Sequence, residues 1–127
     1  MRILALDIGT RRTGVAYFDD AVGFTLPLET IHHQSKMEFA EKVLSIAAEK
    51  KVEKIVVGIP YLPSGEEGSQ ADIVRDYAAI LEEKFEIHFV DERYTTPKRI
   101  APKQGEPQSS DSDQTAAIAI LNAFLGC

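Results

Sequence analysis

A chain of 127 residues, 44% of them apolar, can bury one core and not two, so a single domain over 1–127 is expected. A formal net charge of −6 argues against binding to nucleic acid through bulk charge and shifts attention to where the 14 Lys and Arg fall. No apolar stretch nears the ~20 residues of a membrane span, no leader is visible ahead of the first strand, and the one cysteine, Cys127, permits no internal disulfide. A cytoplasmic protein is expected.

Residues 2–8 open the chain with Ile3-Leu4-Ala5-Leu6, an apolar run without alternation. Such a run predicts a central strand buried on both faces. Asp7 ends it, followed by a short connection, Gly9 to Arg12, that carries two arginines. Residues 13–19 read as a second strand. Residues 22–33 hold Phe24, Leu26, Leu28 and Ile31 near period two and read as a third. Pro27 has no N–H for a ladder and puts that third strand at an edge.

The period then lengthens. Ser35 with Glu38 three residues later forms a capping box, and Phe39, Val43, Ile46 and Ala47 follow at helical spacing, predicting a helix over 36–50. Residues 53–59 carry Ile55-Val56-Val57-Gly58-Ile59, a second fully apolar strand stopped by Pro60. Ser69, with Asp72 three residues on, is expected to cap a helix over 70–84 marked by Ile73, Tyr77 and Leu81. Residues 86–91 make a fifth strand. A Pro-, Gly-, Gln- and Ser-rich stretch, 102–112, precedes a closing helix from Asp113 with Ala116, Ala117, Ile120, Leu121 and Phe124. Three antiparallel strands followed by right-handed crossovers predict an α/β domain: a mixed five-stranded sheet flanked by helices on both faces, with strands one and four in the middle.

Three acids stand at element ends in this scheme: Asp7 after strand one, Asp91-Glu92 after strand five, and Asp113 at the last helix. Strands one, four and five run parallel, so the first two share a sheet edge, about 10 Å apart across two strand spacings. Carboxylates on neighbouring element ends are how Mg²⁺ is held, with water and substrate phosphate completing its oxygen shell. No Cys/His cluster suggests zinc, and the adjacent His32 and His33 point to opposite faces of a strand. Glu66 and Glu67, after strand four, are a reserve source of a ligand. Each acid also has a plainer reading. Asp7 could bond local backbone, Asp113 could serve only as a helix-start residue favoured by the macrodipole, and Asp91 and Glu92 could be solvated acids beside Arg93.

Five blocks in order, Leu-Asp-Ile-Gly-Thr-Arg-Arg-Thr-Gly-Val-Ala, Val-Val-Gly-Ile-Pro, Glu-Gly-Ser-Gln-Ala, Val-Asp-Glu-Arg-Tyr-Thr-Thr and Asp-Gln-Thr-Ala-Ala-Ile-Ala-Ile-Leu, cover nearly the whole chain. Together they resemble the YqgF (RuvX) family, small bacterial proteins of ribonuclease H-like fold described as Holliday junction resolvases and as pre-16S rRNA nucleases. The resemblance implies that Asp7, Glu92 and Asp113 are catalytic and hold Mg²⁺ or Mn²⁺, with Arg93, Thr95 and Thr96 beside the site. It departs from the family at 102–110, where a basic stretch is often found and this chain has one Lys, Lys103, and one Glu, Glu106. Arg11, Arg12, Arg93, Lys98 and Arg99 are the candidate contacts to nucleic acid, as phosphate-binding cations, although each could be an ordinary surface charge.

The function expected is a metal-dependent nuclease, with 5′-end processing of precursor 16S rRNA favoured over junction resolution. Symmetric cutting of a junction needs a two-fold dimer, and the expected state is a monomer or weak homodimer whose partners are structured RNA, branched DNA or a ribosome precursor. Two other classes stay open. An actin-like ATPase shares an Asp-x-Gly-Thr motif, but such proteins bind ATP between two domains of this fold. A non-catalytic rRNA-binding module would keep the fold without the chemistry.

Overall fold

The computed structural model describes residues 1–23, 25–60, 64–91 and 111–126, with the backbone alone at 111–115. The elements are β1 (Arg2–Ile8), β2 (Arg12–Asp19), β3 (Thr25–His32), α1 (Lys36–Lys50), β4 (Lys54–Ile59), α2 (Ser69–Glu82), β5 (Glu86–Asp91) and α3 (Asp111–Leu125). One sheet runs in the order β3-β2-β1-β4-β5. β1 pairs antiparallel with β2 and parallel with β4, and β4 pairs parallel with β5. This is the expected ribonuclease H-like arrangement. The unalternating β1 is central, and β3, with its Pro27, is an edge.

Strand alternation sorts the core into two layers. Leu4, Leu6 and Ile8 of β1 pack with Phe39, Val43 and Ala47 of α1 and Ala71, Val74 and Ala78 of α2. Ile3 and Ala5 face the other way, against Ala117, Ile120 and Leu121 of α3. Both layers are closed, with Ile3, Leu4, Ala5 and Leu6 all fully buried. Burying a Leu or Ile side chain contributes about 1.5–3 kcal/mol, so this central strand is a main source of stability.

The helices start by different chemistry. At α1 the capping box forms: the Glu38 N–H donates to Ser35 Oγ at 3.1 Å, while Glu38 Oε1 accepts from the Gln34 N–H at 2.6 Å. At α2 the expected Ser69 cap does not form. Gly68 is the N-cap, without a side-chain hydrogen bond, and Ser69 is already helical. A glycine serves there because the N-cap residue sits in extended backbone, and its cost relative to Ser is only a few tenths of a kcal/mol. α3 begins at Asp111, two residues ahead of expectation. β3 begins at Thr25 rather than 22, because the N–H groups of Val22 and Gly23 both turn back to the Asp19 carbonyl.

The β1–β2 turn is tight for a specific reason. The Gly9 N–H donates to the Arg12 carbonyl at 3.0 Å. A Cβ on residue 9 would lie 2.5 Å from that same oxygen, so only glycine allows the approach. β2 and β3 shift register between Thr13 and Val15, which pair with Ile31 and Leu28, leaving β3 one residue longer across the step. Such bulges bend a strand beside its neighbours and re-aim side chains.

Candidate active site and nucleic-acid interface

Asp7 lies at the C-terminal end of the central strand, partly exposed. Its parity with Ile3 and Ala5 puts it on the α3 face of the sheet. Its partner on β2 is Gly14. On the other side the last paired positions of β1 and β4 are Leu6 and Val57, and one residue further on stand Asp7 and Gly58. The carboxylate is therefore flanked on both neighbouring strands by residues without side chains. The carboxylate stands on the α3 face, half withdrawn from water, where an ionised group is met by a cation or by hydrogen-bond donors.

The second acid pair divides. Ile87 and Phe89 of β5 belong to the α1/α2 layer and Val90 to the α3 layer. By the same alternation Asp91 falls on the face opposite Asp7. Glu92, Arg93, Lys98, Arg99 and Lys103 lie outside the described residues, as do Thr95 and Thr96. Asp113 is in the first turn of α3, which packs on the face that carries Asp7, and its side chain also lies outside the description. Among the described residues no three His, Cys, Asp or Glu side chains are grouped to hold a metal. Glu67 is committed elsewhere, to an ion pair with Arg75, whose guanidinium also stacks over Phe89 at 4.7 Å.

The donor chemistry fits a hard divalent ion. Asp7 offers carboxylate oxygens at a strand end beside Gly14 and Gly58, and Mg²⁺ needs only one or two protein carboxylates when water and phosphate supply the rest.

Arg11 and Arg12 stand exposed at the hairpin tip, on the same sheet edge as Asp7. They border a groove that also takes in Thr10, His32, Gln34, Lys42 and Gln70. Sequence reasoning found the two arginines and missed the rest of this surface. The signal was present in the pairing of Arg12 with His32, which a third strand antiparallel to the second would have indicated.

His33 lies at the groove's base, 2% exposed. Its Nε2 is 2.9 Å from Thr13 Oγ1, and Phe39 packs against its ring edge at 5.3 Å. Burial holds its pKa below the ordinary histidine value. Nearby Glu38 opposes that shift, while Lys42 and His32 add to it. It is a neutral, structural histidine, the buried counterpart of the exposed His32.

No helix among the described residues is long and apolar enough to cross a membrane. A family model, "RuvX: Holliday junction resolvase", matches residues 1–126. Several proteins named "Putative pre-16S rRNA nuclease" are similar along nearly the whole chain. The one from Koribacter versatilis is 35% identical, covering 98% of this chain and 86% of its own. That from Sulfurihydrogenibium is 35% identical, covering 98% and 89%, and that from Lactococcus lactis, strain MG1363, is 36% identical, covering 98% and 93%. Among solved structures, T. thermophilus RuvC in complex with a Holliday junction substrate superposes with a TM-score of 0.63 over 99% of this chain and 94% of that one. At 15% identity that likeness shows the fold alone.

Proposed function

The chain belongs to the RuvX family, and from that premise we propose that it is a divalent-metal-dependent nuclease that trims the 5′ end of precursor 16S rRNA in the cytoplasm. The observation that carries the reading is Asp7, a carboxylate at the rim of the core with Gly14 beside it on one strand and Gly58 at the next step on the other. In this reading Asp7, Glu92 and Asp113 hold Mg²⁺ or Mn²⁺. Because Asp91 sits on the far face, Glu92 is the member of its pair assigned to the metal. When bound, the ion supplies Lewis acidity for the attacking water and for charge on the leaving oxygen.

The chain's own residues do the rest. Arg11 and Arg12 on the hairpin, with Arg93, Lys98 and Arg99, neutralise backbone phosphates and set the register of the strand to be cut. The first turn of α3, where Asp113 stands, favours an acid through the helix dipole. The RNA reading is preferred to the DNA junction because relatives at 35–36% identity carry the rRNA name and because a single hairpin site does not by itself cut two strands symmetrically.

The test pairs wild type with Asp7→Asn, each incubated with Mg²⁺ or Mn²⁺ and either a precursor 16S rRNA fragment or a four-way DNA junction. Metal-dependent cleavage of the RNA by wild type alone is expected, with chelation abolishing it. Equal cleavage by Asp7→Asn would overturn the site, and cleavage of the junction in preference to the RNA would overturn the substrate.

A further inference from the structure

The strongest feature outside the acid site is the groove between the β1–β2 turn and the start of α1. Thr10, Arg11, His32, His33, Gln34, Glu38 and Lys42 line one part of it. Gly9, Thr10, Arg11, Arg12, His32 and Gln70 line a continuation. The shared residues Thr10, Arg11 and His32 make it one surface. In a chain of net charge −6 this stretch reverses sign, with Arg11, Arg12 and Lys42 against Glu38.

The charges are held unequally. Arg11 is exposed and its guanidinium makes no hydrogen bond or ion pair with any described residue. Its backbone is fixed, however, because the His33 N–H donates to the Arg11 carbonyl at 2.9 Å. Lys42 is drawn across the groove wall, Nζ donating to the His32 carbonyl at 2.5 Å and standing 4.0 Å from Glu38 Oε2. Glu38 is engaged by the Gln34 N–H in the α1 cap, so its negative charge in the groove follows from capping the helix. Beside these groups His33, 2% exposed, uses Nε2 toward Thr13, and its buried Nδ1 has no hydrogen-bond partner among the described residues. A cation on an anchored backbone, a second cation on the facing wall, and amide and hydroxyl groups between them suit an oxyanion.

We propose that this groove is a phosphate subsite for the backbone of a bound nucleic acid strand, centred on Arg11 and Lys42 and weakened by Glu38. It rests on the nuclease reading above and extends it to a second surface. Asp7 lies on the α3 face, whereas the groove lies with α1 and α2, at the same sheet edge. Asp7 and Thr10 are three residues apart, about 10 Å at most along extended chain. A strand passing over the hairpin tip therefore meets the acid first and the groove a few nucleotides later. The groove anchors the flank of the substrate, outside the bond that is cut. It reads phosphate and so serves RNA and DNA alike.

The test measures equilibrium binding in EDTA, where no cleavage occurs, of a labelled 24-nucleotide RNA and a DNA duplex of the same sequence across a salt series. Arg11→Gln and Lys42→Gln are each expected to weaken both ligands several-fold and to flatten the log–log salt slope by roughly 0.7 on the single strand and 0.9 on the duplex. Glu38→Gln keeps an acceptor for the Gln34 N–H and removes the charge, so it is expected to tighten both. Lys84→Gln, at an exposed lysine in the turn after α2, makes the same net-charge change elsewhere and is expected to bind as wild type. Thermal melts of each variant verify folding. Arg11→Gln and Lys42→Gln binding like Lys84→Gln, with unchanged slopes, would overturn the subsite, as would a wild type that binds neither ligand at low salt. The two readings fail separately. Groove-dependent binding by a protein that cleaves nothing removes the nuclease reading alone, and Asp7-dependent cleavage with groove variants that bind normally removes the subsite alone.

Discussion

Gly9→Ala is the most informative single perturbation, because one methyl group tests whether the hairpin's geometry underlies the site. The new Cβ would stand 2.5 Å from the Arg12 carbonyl oxygen, and relief to an ordinary contact needs a backbone displacement of most of an ångström, since the obstacle is main chain. Overpacking of this kind costs about 1–3 kcal/mol. The displacement also lengthens the Gly9 to Arg12 hydrogen bond, now 3.0 Å, which is worth about 1 kcal/mol. A total near 2–4 kcal/mol corresponds to a fall in Tm of roughly 8–16 °C for a chain of this size. Function should fall further than stability. The same turn carries Arg11 and Arg12 and begins two residues after Asp7, and a shift of about 1 Å at a catalytic group can cost about a hundredfold in rate. Differential scanning calorimetry and metal-dependent cleavage well below the melt measure the two effects, with Thr10→Ala as the neighbouring control, expected within about 0.5 kcal/mol. A Gly9→Ala protein that melts within about 2 °C of wild type and cleaves at the wild-type rate would show that the turn has slack and that the glycine is not what positions the site.

Three further outcomes follow from the packing. Phe39, fully buried against His33 and Tyr77, should cost about 3–5 kcal/mol as Phe39→Ala, read as a lowered urea midpoint with an unchanged m-value. Ser35→Ala removes the acceptor for the Glu38 N–H and should cost about 1 kcal/mol, measured by thermal melt. His33 supplies a pH dependence whose sign is set by burial. Its folded-state pKa lies below the unfolded value, so its contribution is fully present above the unfolded pKa of about 6.5 and is lost as pH falls below that toward the folded pKa. Wild type should lose more stability than His33→Gln between pH 7 and 5, and equal slopes of denaturation midpoint against pH would show that the histidine is not buried in its neutral form.

How much of this was legible in the sequence depended on whether a residue's role is local. The bounds of β1, α1 and β5 match expectation because an unalternating run, a capping box and a short β-branched strand are read within a few residues. Pro27 marked an edge strand for the same reason. The α2 cap was misread because Gly68 and Ser69 are both good N-caps, and the choice is made by how the chain enters from the loop after β4. The site was legible in part. Asp7 could be found by its cost, a carboxylate closing an apolar strand. Which of Asp91 and Glu92 shares its face could not. β1 is buried on both faces, so its alternation has no polar face to orient it against β5 until α3 and the α1/α2 pair are assigned to opposite layers.

The groove was hidden by a longer-range cause. Arg11, His32, Gln34 and Lys42 come from a turn, a strand end and the second turn of a helix, and nothing in their spacing links them. They converge because β3 returns antiparallel to β2 and delivers His32 beside Arg12, after which α1 starts within three residues. The same return buries His33 and fixes the Arg11 carbonyl through its N–H, so the arginine that reads as a mobile surface charge has an anchored backbone. An acidic protein can hold a polyanion under these conditions, because a Debye length of about 8 Å at physiological salt screens distant carboxylates while leaving a nearby anchored cation effective. The mean charge therefore says little about nucleic-acid binding here. Arg11→Gln, which changes that mean by one unit, is expected to change affinity far more than the identical unit removed at Lys84.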